Sequence, residues 1–209
     1  QALRRGGFLV FSYLITNLTL NIDRLVLENL IGHLAVTQYY VTSLIGKTLV
    51  LLVAPVNTII ISYLTRKQER MNRRQFLMFT GIGVAVSFVF FICAQIGTPI
   101  FVRLFYGDLY DSVKEMITVV NLSQILGVLS AYLFIVVLTF TEEKWQLLLQ
   151  IFHLVVIVAL VLIFTGRGGI MGFAEAVLIA NTLRVAAVIL LGIIKAGKIS
   201  RQKTTSKNL

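Results

Sequence analysis

The sequence has few charged residues and a single cysteine. Asp, Glu, Lys and Arg make up 13% of the 209 residues, whereas a soluble domain usually carries about 25%. So few charges cannot coat a water-facing surface, and an apolar content of 57% indicates lipid as the solvent. The lone Cys93 excludes an internal disulfide and a cysteine-built metal site. Two prolines and 15 glycines exclude a collagen-like or disordered chain.

Six runs of the sequence are long and apolar enough to cross a bilayer, because a spanning helix needs about 20 mostly apolar residues. Barrel strands would instead alternate in segments of about ten residues. We therefore predict an all-α integral membrane protein, with a six-helix transmembrane lobe over residues 1–195 and a basic cytoplasmic tail over 196–209. The predicted spans are 8–27, 35–64, 76–98, 116–140, 146–165 and 170–194.

The basic residues are distributed unequally between the two ends of these spans. Thirteen Lys and Arg lie on one side and four on the other, while Lys47 and Arg184 fall inside spans. Because cytoplasmic loops carry the excess of Lys and Arg, both termini of this segment are predicted to be cytoplasmic. We therefore attribute the net charge of +10 to basic residues that set the membrane topology and contact anionic lipid headgroups. We predict no nucleic-acid partner, because no basic face with interleaved aromatics occurs outside the apolar runs.

Two cations lie within predicted spans, where a charge costs about 2.5–3.5 kcal/mol on insertion scales. Such residues usually face a bundle interior or a wet cavity. Lys47 lies on a mostly small or polar stripe of its helix with Ser43 and Thr58. Helix packing does not require a charge at this position, so a cavity is the favoured interpretation for Lys47. Arg184 shares a face with Asn181, and snorkelling or lipid binding is its second interpretation. The candidate cavity residues are Lys47, Arg184, Asp23, Arg24, Ser43, Thr58, Gln124 and Asn181.

Motifs for catalysis or for a cofactor do not occur in the sequence. The tripeptide at 46–48 resembles the end of a phosphate-binding loop, but Val41 stands where the first glycine is required, and the segment lies in an apolar helix. His33 and His153 have no nearby carboxylate at a metal-ligand spacing. For His153, hydrogen-bonded structure is favoured over a proton relay. We therefore predict no enzyme activity, no cofactor and no metal site.

Four short segments occur in a characteristic order along residues 1–195: 21–27 (NIDRLVL), 36–41 (VTQYYV), 104–110 (LFYGDLY) and 165–172 (TGRGGIMG). Their order and spacing resemble the second half of a flippase of the multidrug/oligosaccharidyl-lipid/polysaccharide (MOP) superfamily, in particular the polysaccharide-biosynthesis or O-antigen flippases. The resemblance implies that the six helices form one lobe of a MATE/MOP-type transporter, in which two lobes surround a central cavity. The start at Gln1 fits a C-terminal lobe, so a missing N-terminal lobe is expected as a partner.

The same resemblance implies a function in polysaccharide transport. Members of the family flip undecaprenyl-pyrophosphate-linked oligosaccharides from the cytoplasmic to the outer leaflet of the bacterial cytoplasmic (inner) membrane by alternating access. Lys47 and Arg184 are expected to attract the pyrophosphate, while hydroxyl and amide stripes hydrogen-bond the sugars. The implied partners are the lipid-linked oligosaccharide, membrane lipids, the opposing lobe and the polysaccharide polymerase machinery.

Other function classes stay open at this point. A MATE-like drug or cation antiporter needs membrane-buried carboxylates, for which Asp23 and Glu175 are the candidates, both near span ends. A non-transporting membrane scaffold subunit would bury Lys47 against a partner chain. A lipid II flippase is a variant of the favoured hypothesis. A major-facilitator half is disfavoured, because the connection at 66–74 contains neither glycine nor aspartate.

Overall fold

The structure, a computed structural model, describes residues 21–66 and 71–207. Six helices and no strand occur in this part of the chain, which confirms the predicted helical class there. The first predicted span falls mostly on residues 8–20, which lie outside the described residues. The helices are α1 (Ile22–Leu30), α2 (His33–Arg66), α3 (Arg73–Phe105), α4 (Gly107–Val113), α5 (Ile117–Leu138) and α6 (Glu143–Lys207).

Three stretches of helix in the described residues are long and apolar enough to cross a membrane by length and composition. They are Arg73–Phe105, Ile117–Leu138 and Leu147–Ala196. Only 11% of the most apolar part of α3 is buried, whereas the figure for α5 is 61%. A large apolar surface such as that of α3 is typical of a helix that faces lipid. These features support a helical membrane protein with α5 near its centre.

The long helix α6 is a hairpin with two arms. Gly169 has non-helical backbone angles, with φ +58° and ψ −138°, and separates a first arm (143–168) from a second arm (170–207). Positive φ costs glycine little, since it has no Cβ. The arms run antiparallel, because Trp145 lies 4.2 Å from the Lys195 ammonium, measured to the ring centroid. The predicted break between the last two apolar runs is therefore present in the structure.

Two buried apolar clusters hold the helices together, one toward each end of α5. The cluster near α4 contains Val120 and the edge-to-face pair of Tyr39 and Phe173, whose ring centroids are 4.9 Å apart. The second cluster contains Leu133 of α5 and Phe76 of α3. Polar and small side chains occupy α5 between the two clusters, and this is where an internal cavity forms.

A hydrogen-bond network anchors α3 to α5 beside Pro99, which removes a backbone donor from α3. The buried Asn121 amide donates to the Ala94 carbonyl at 3.2 Å and to the Gln95 side chain at 3.0 Å. The Thr98 hydroxyl donates back to Asn121 Oδ1 at 3.1 Å. Such a fully partnered polar cluster fixes how two apolar helices pack.

Replacement of this amide tests the network. We expect Asn121→Leu to lower the free energy of unfolding by about 1–3 kcal/mol, because buried partners of the lost amide are left unsatisfied. SDS-induced unfolding in detergent micelles measures the change. The matched control is Asn29→Leu, since the Asn29 amide donates to the Leu25 carbonyl on an exposed surface. Equal destabilisation by both substitutions would contradict a special role for Asn121.

Candidate functional site

A cavity of about 520 Å³ lies between α1, α2, α5 and both arms of α6. Its wall combines apolar side chains with a small number of charged and amide groups, which is typical of a ligand site. Six of the eight residues predicted from the sequence line this cavity. They are Asp23, Arg24, Lys47, Gln124, Asn181 and Arg184.

Lys47 and Asp23 form an ion pair at the edge of the cavity. The Lys47 ammonium donates to Asp23 Oδ2 at 2.5 Å, and the side chains are 33% and 12% exposed. The other carboxylate oxygen, Oδ1, accepts the backbone N–H of Arg24 at 3.0 Å. Asp23 lies in the first turn of α1, where a negative charge is favourable. The ammonium is also 5.9 Å from the ring centroids of Tyr39 and Tyr40.

The other two cations of the cavity are Arg24 and Arg184. Among the described residues, neither Arg24 nor Arg184 has an Asp or Glu within ion-pair distance. Each guanidinium lies 5.9 Å from an aromatic ring centroid, Arg24 over Tyr40 and Arg184 over Phe134. Three cations face one carboxylate in the described lining, so the cavity carries two net positive charges when its histidine is neutral.

Amide groups connect the arms of α6 to α5 inside the cavity. Asn181 Nδ2 donates to the Ser123 carbonyl at 2.8 Å, and Asn181 Oδ1 lies 3.2 Å from His153 Nε2. Since Oδ1 can only accept, this contact places the donor proton on Nε2. Gln124 donates to the Tyr39 hydroxyl at 3.4 Å. His153 is thus part of the hydrogen-bonded wall, the interpretation that its sequence context favoured.

Lys47 and Arg184 lie beside different aromatic rings. Lys47 is beside Tyr39, which Gln124 contacts, whereas Arg184 is beside Phe134. Gln124 and Phe134 are ten residues apart, or about 15 Å along the axis of α5. The groups that Lys47 and Arg184 contact therefore lie at separate positions along α5.

Two predicted residues are not brought to the cavity. Ser43 is buried in α2, where its hydroxyl donates to the Tyr40 carbonyl at 3.1 Å. Thr58 has an exposed side chain and does not line the cavity. Tyr39 and Tyr40 also line the cavity. Neither belongs to the predicted polar stripes, although the segment 36–41 contains both.

No known protein family, curated protein or solved structure matches the chain. In the ranges 21–66 and 71–207 there is also no group of three or more His, Cys, Asp or Glu side chains that could hold a metal ion. The described lining of the cavity combines charged, amide, aromatic and apolar side chains.

Proposed function

We propose that this chain forms one lobe of a flippase for undecaprenyl-pyrophosphate-linked oligosaccharides in the bacterial cytoplasmic membrane. The observation that carries the proposal is the cationic cavity between apolar helices, where Arg24, Lys47 and Arg184 outnumber Asp23. Cations within a membrane protein are costly and usually mark a substrate path. A pyrophosphate diester carries negative charges that complement the excess of cations in the described lining.

The side chains of the cavity suit the parts of such a substrate. Guanidinium groups donate to phosphate oxygens in a planar fork, and the ammonium of Lys47 acts as a compact point charge. The partly exposed ring of Tyr40 and the amide of Gln124 provide stacking and hydrogen-bonding surfaces for sugars. The polyprenyl tail stays in the bilayer, beside apolar helices such as α3.

The proposed architecture follows the resemblance of the four sequence segments. Six spans form the lobe, with the two arms of α6 as the last two, and the basic connections face the cytoplasm. An opposing lobe closes the cavity, and rocking of the two lobes exposes it alternately to each side. Passage to the polymerase machinery follows on the outer face.

Loss of the protein tests this function. In a deletion strain we expect polyprenyl-linked oligosaccharides to accumulate on the cytoplasmic face of the membrane, with loss of surface polysaccharide. Mass spectrometry of the lipid-linked intermediates measures the total, and a membrane-impermeant sugar-modifying enzyme reports the face. The full-length gene restores export, as does its Arg103→Gln variant, which alters a cation outside the cavity. Unchanged intermediates in the deletion strain would contradict the proposal.

The charge of the cavity disfavours the main alternative, a cation antiporter. Such a transporter needs free carboxylates, whereas Asp23 is paired with Lys47 and Glu175 does not line the cavity. A scaffold role would instead place a partner chain against Lys47, and a stable co-purified partner without a transport phenotype would support it.

A further inference from the structure

We infer that the Asp23 carboxylate is an internal competitor of the substrate, which pairs with Lys47 and is displaced from it when a pyrophosphate anion binds. This inference rests on the proposed function and adds a role for one residue. A carboxylate and a phosphate both present anionic oxygens that accept from an ammonium group. The geometry therefore points to Asp23 as the group that occupies the place of a phosphate oxygen.

The surroundings of Asp23 favour its exchange over a permanent structural role. One oxygen, Oδ1, is held by the Arg24 backbone N–H at 3.0 Å, and only the other, Oδ2, contacts Lys47. When Lys47 turns to a ligand, Asp23 keeps its local hydrogen bond at the start of α1. The favourable dipole of the helix N-terminus also remains. Exchange therefore does not leave a buried carboxylate without a partner.

The surroundings of Lys47 provide the space for this exchange. Its side chain is 33% exposed and lines the cavity, so an incoming anion approaches the ammonium without breaking the apolar core. The guanidinium groups of Arg24 and Arg184, which have no carboxylate partner among the described residues, provide positive potential in the same cavity. A pyrophosphate carries more negative charge than one carboxylate and is also attracted by these groups, so it competes successfully for Lys47.

Competition by Asp23 has a consequence for transport. It weakens binding of the substrate, since each binding event has to break an existing ion pair. It also accelerates release, because the carboxylate returns to Lys47 as the phosphate leaves. Removal of the carboxylate is therefore expected to tighten binding and to slow export.

The test is pyrophosphate binding by Asp23→Asn in the full-length protein purified in detergent. We expect the dissociation constant for inorganic pyrophosphate, measured by isothermal titration calorimetry, to fall roughly tenfold, or by about 1.4 kcal/mol. Export by the same variant falls severalfold. The control is Glu28→Gln, which removes a carboxylate of the same helix that pairs with His33 at 3.4 Å and does not line the cavity. Its binding stays within twofold of the wild type.

The outcomes separate this inference from the proposed function. If the wild type binds pyrophosphate and Asp23→Asn binds it equally or more weakly, Asp23 only orients Lys47 and the inference is wrong. Equal tightening by Glu28→Gln would also overturn the inference, because the effect would then be long-range. Absence of pyrophosphate binding by every form would overturn the proposed function, and the inference with it.

A second measurement uses the wild-type protein and does not depend on the folding of a variant. A water-soluble carbodiimide joins adjacent carboxylates and amines, so it is expected to cross-link Asp23 to Lys47. Pyrophosphate should lower the yield of this cross-link severalfold, as read by peptide mass spectrometry. The Asp111–Lys114 pair, at 3.0 Å outside the cavity, is the internal control and should be unaffected. An unchanged ratio of the two cross-links would overturn the inference.

Discussion

Lys47→Met is expected to weaken pyrophosphate binding by about 100-fold, or about 2.7 kcal/mol. The substitution removes a charge-assisted hydrogen bond, which is worth about 1.5–3 kcal/mol. It also leaves Asp23 in the cavity without its cation, and the uncompensated carboxylate repels the ligand. Calorimetry on the full-length protein measures the loss, and export in cells should fall in parallel while the protein still inserts.

A double variant separates the loss of the hydrogen bond from the repulsion by Asp23, and a third variant is the control. The double variant Lys47→Met with Asp23→Asn restores the net charge of the cavity, so we expect it to bind about tenfold more tightly than Lys47→Met alone. Arg103→Gln removes a cation that stacks at 4.3 Å on the Tyr110 ring centroid, outside the cavity, and should change binding less than twofold. If the dissociation constant of Lys47→Met for pyrophosphate is within twofold of the wild-type value, Lys47 is not part of the binding site.

The residues that could be predicted from the sequence are those with an energetic reason to face inward. A charge within an apolar run is expensive, so Lys47 and Arg184 were expected to face a cavity, and both line it. Helical periodicity then placed Asn181 with Arg184. The Asp23–Lys47 pair was not predicted, because these residues are 24 positions apart and lie on different helices. Their distance depends on how the chain turns between α1 and α2.

Helical periodicity also explains the two residues that do not reach the cavity. Ser43 shares a stripe with Lys47, but its hydroxyl bonds to the backbone of its own helix, which removes it from the cavity surface. Thr58 is eleven positions beyond Lys47, about 16 Å along the helix, and does not line the cavity. A stripe predicts which side chains share a face but does not predict how far the cavity extends.

Helix boundaries were predictable where glycine or charge interrupts the apolar pattern. The break at Gly169 was expected between the predicted spans 146–165 and 170–194, and the structure has it. The third span was predicted to end at residue 98, whereas α3 continues through Pro99 to Phe105. Contacts with Asn121 on another helix stabilise the turn beside Pro99, and such contacts are not visible in a local pattern. The start of α3 had a local signal, since Asn72 and Gln75 form a capping box.

The hairpin of α6 positions Asn181 and Arg184, and Gly172 is the residue on which its closure depends. A Cβ at this position would meet the backbone carbonyl of Phe164 in the first arm. A backbone group cannot move away by changing a rotamer, so the two arms have to separate. Separation removes the His153–Asn181 hydrogen bond and disturbs the apolar cluster around Phe173.

We therefore expect Gly172→Ala to lower the free energy of unfolding by about 3 kcal/mol, at the upper end of the usual cost of overpacking. Fluorescence-detected size exclusion after heating, together with SDS-induced unfolding, measures the effect in detergent. Gly168→Ala is the matched control, since a Cβ there meets nothing within 4 Å, and we expect its stability to be unchanged or slightly higher. If both alanine variants unfold at the same temperature as the wild type, the close approach of the two arms does not limit the stability of the protein. If only Gly172→Ala is destabilised and its pyrophosphate binding falls as well, the hairpin holds the second arm, and with it Arg184, against α5.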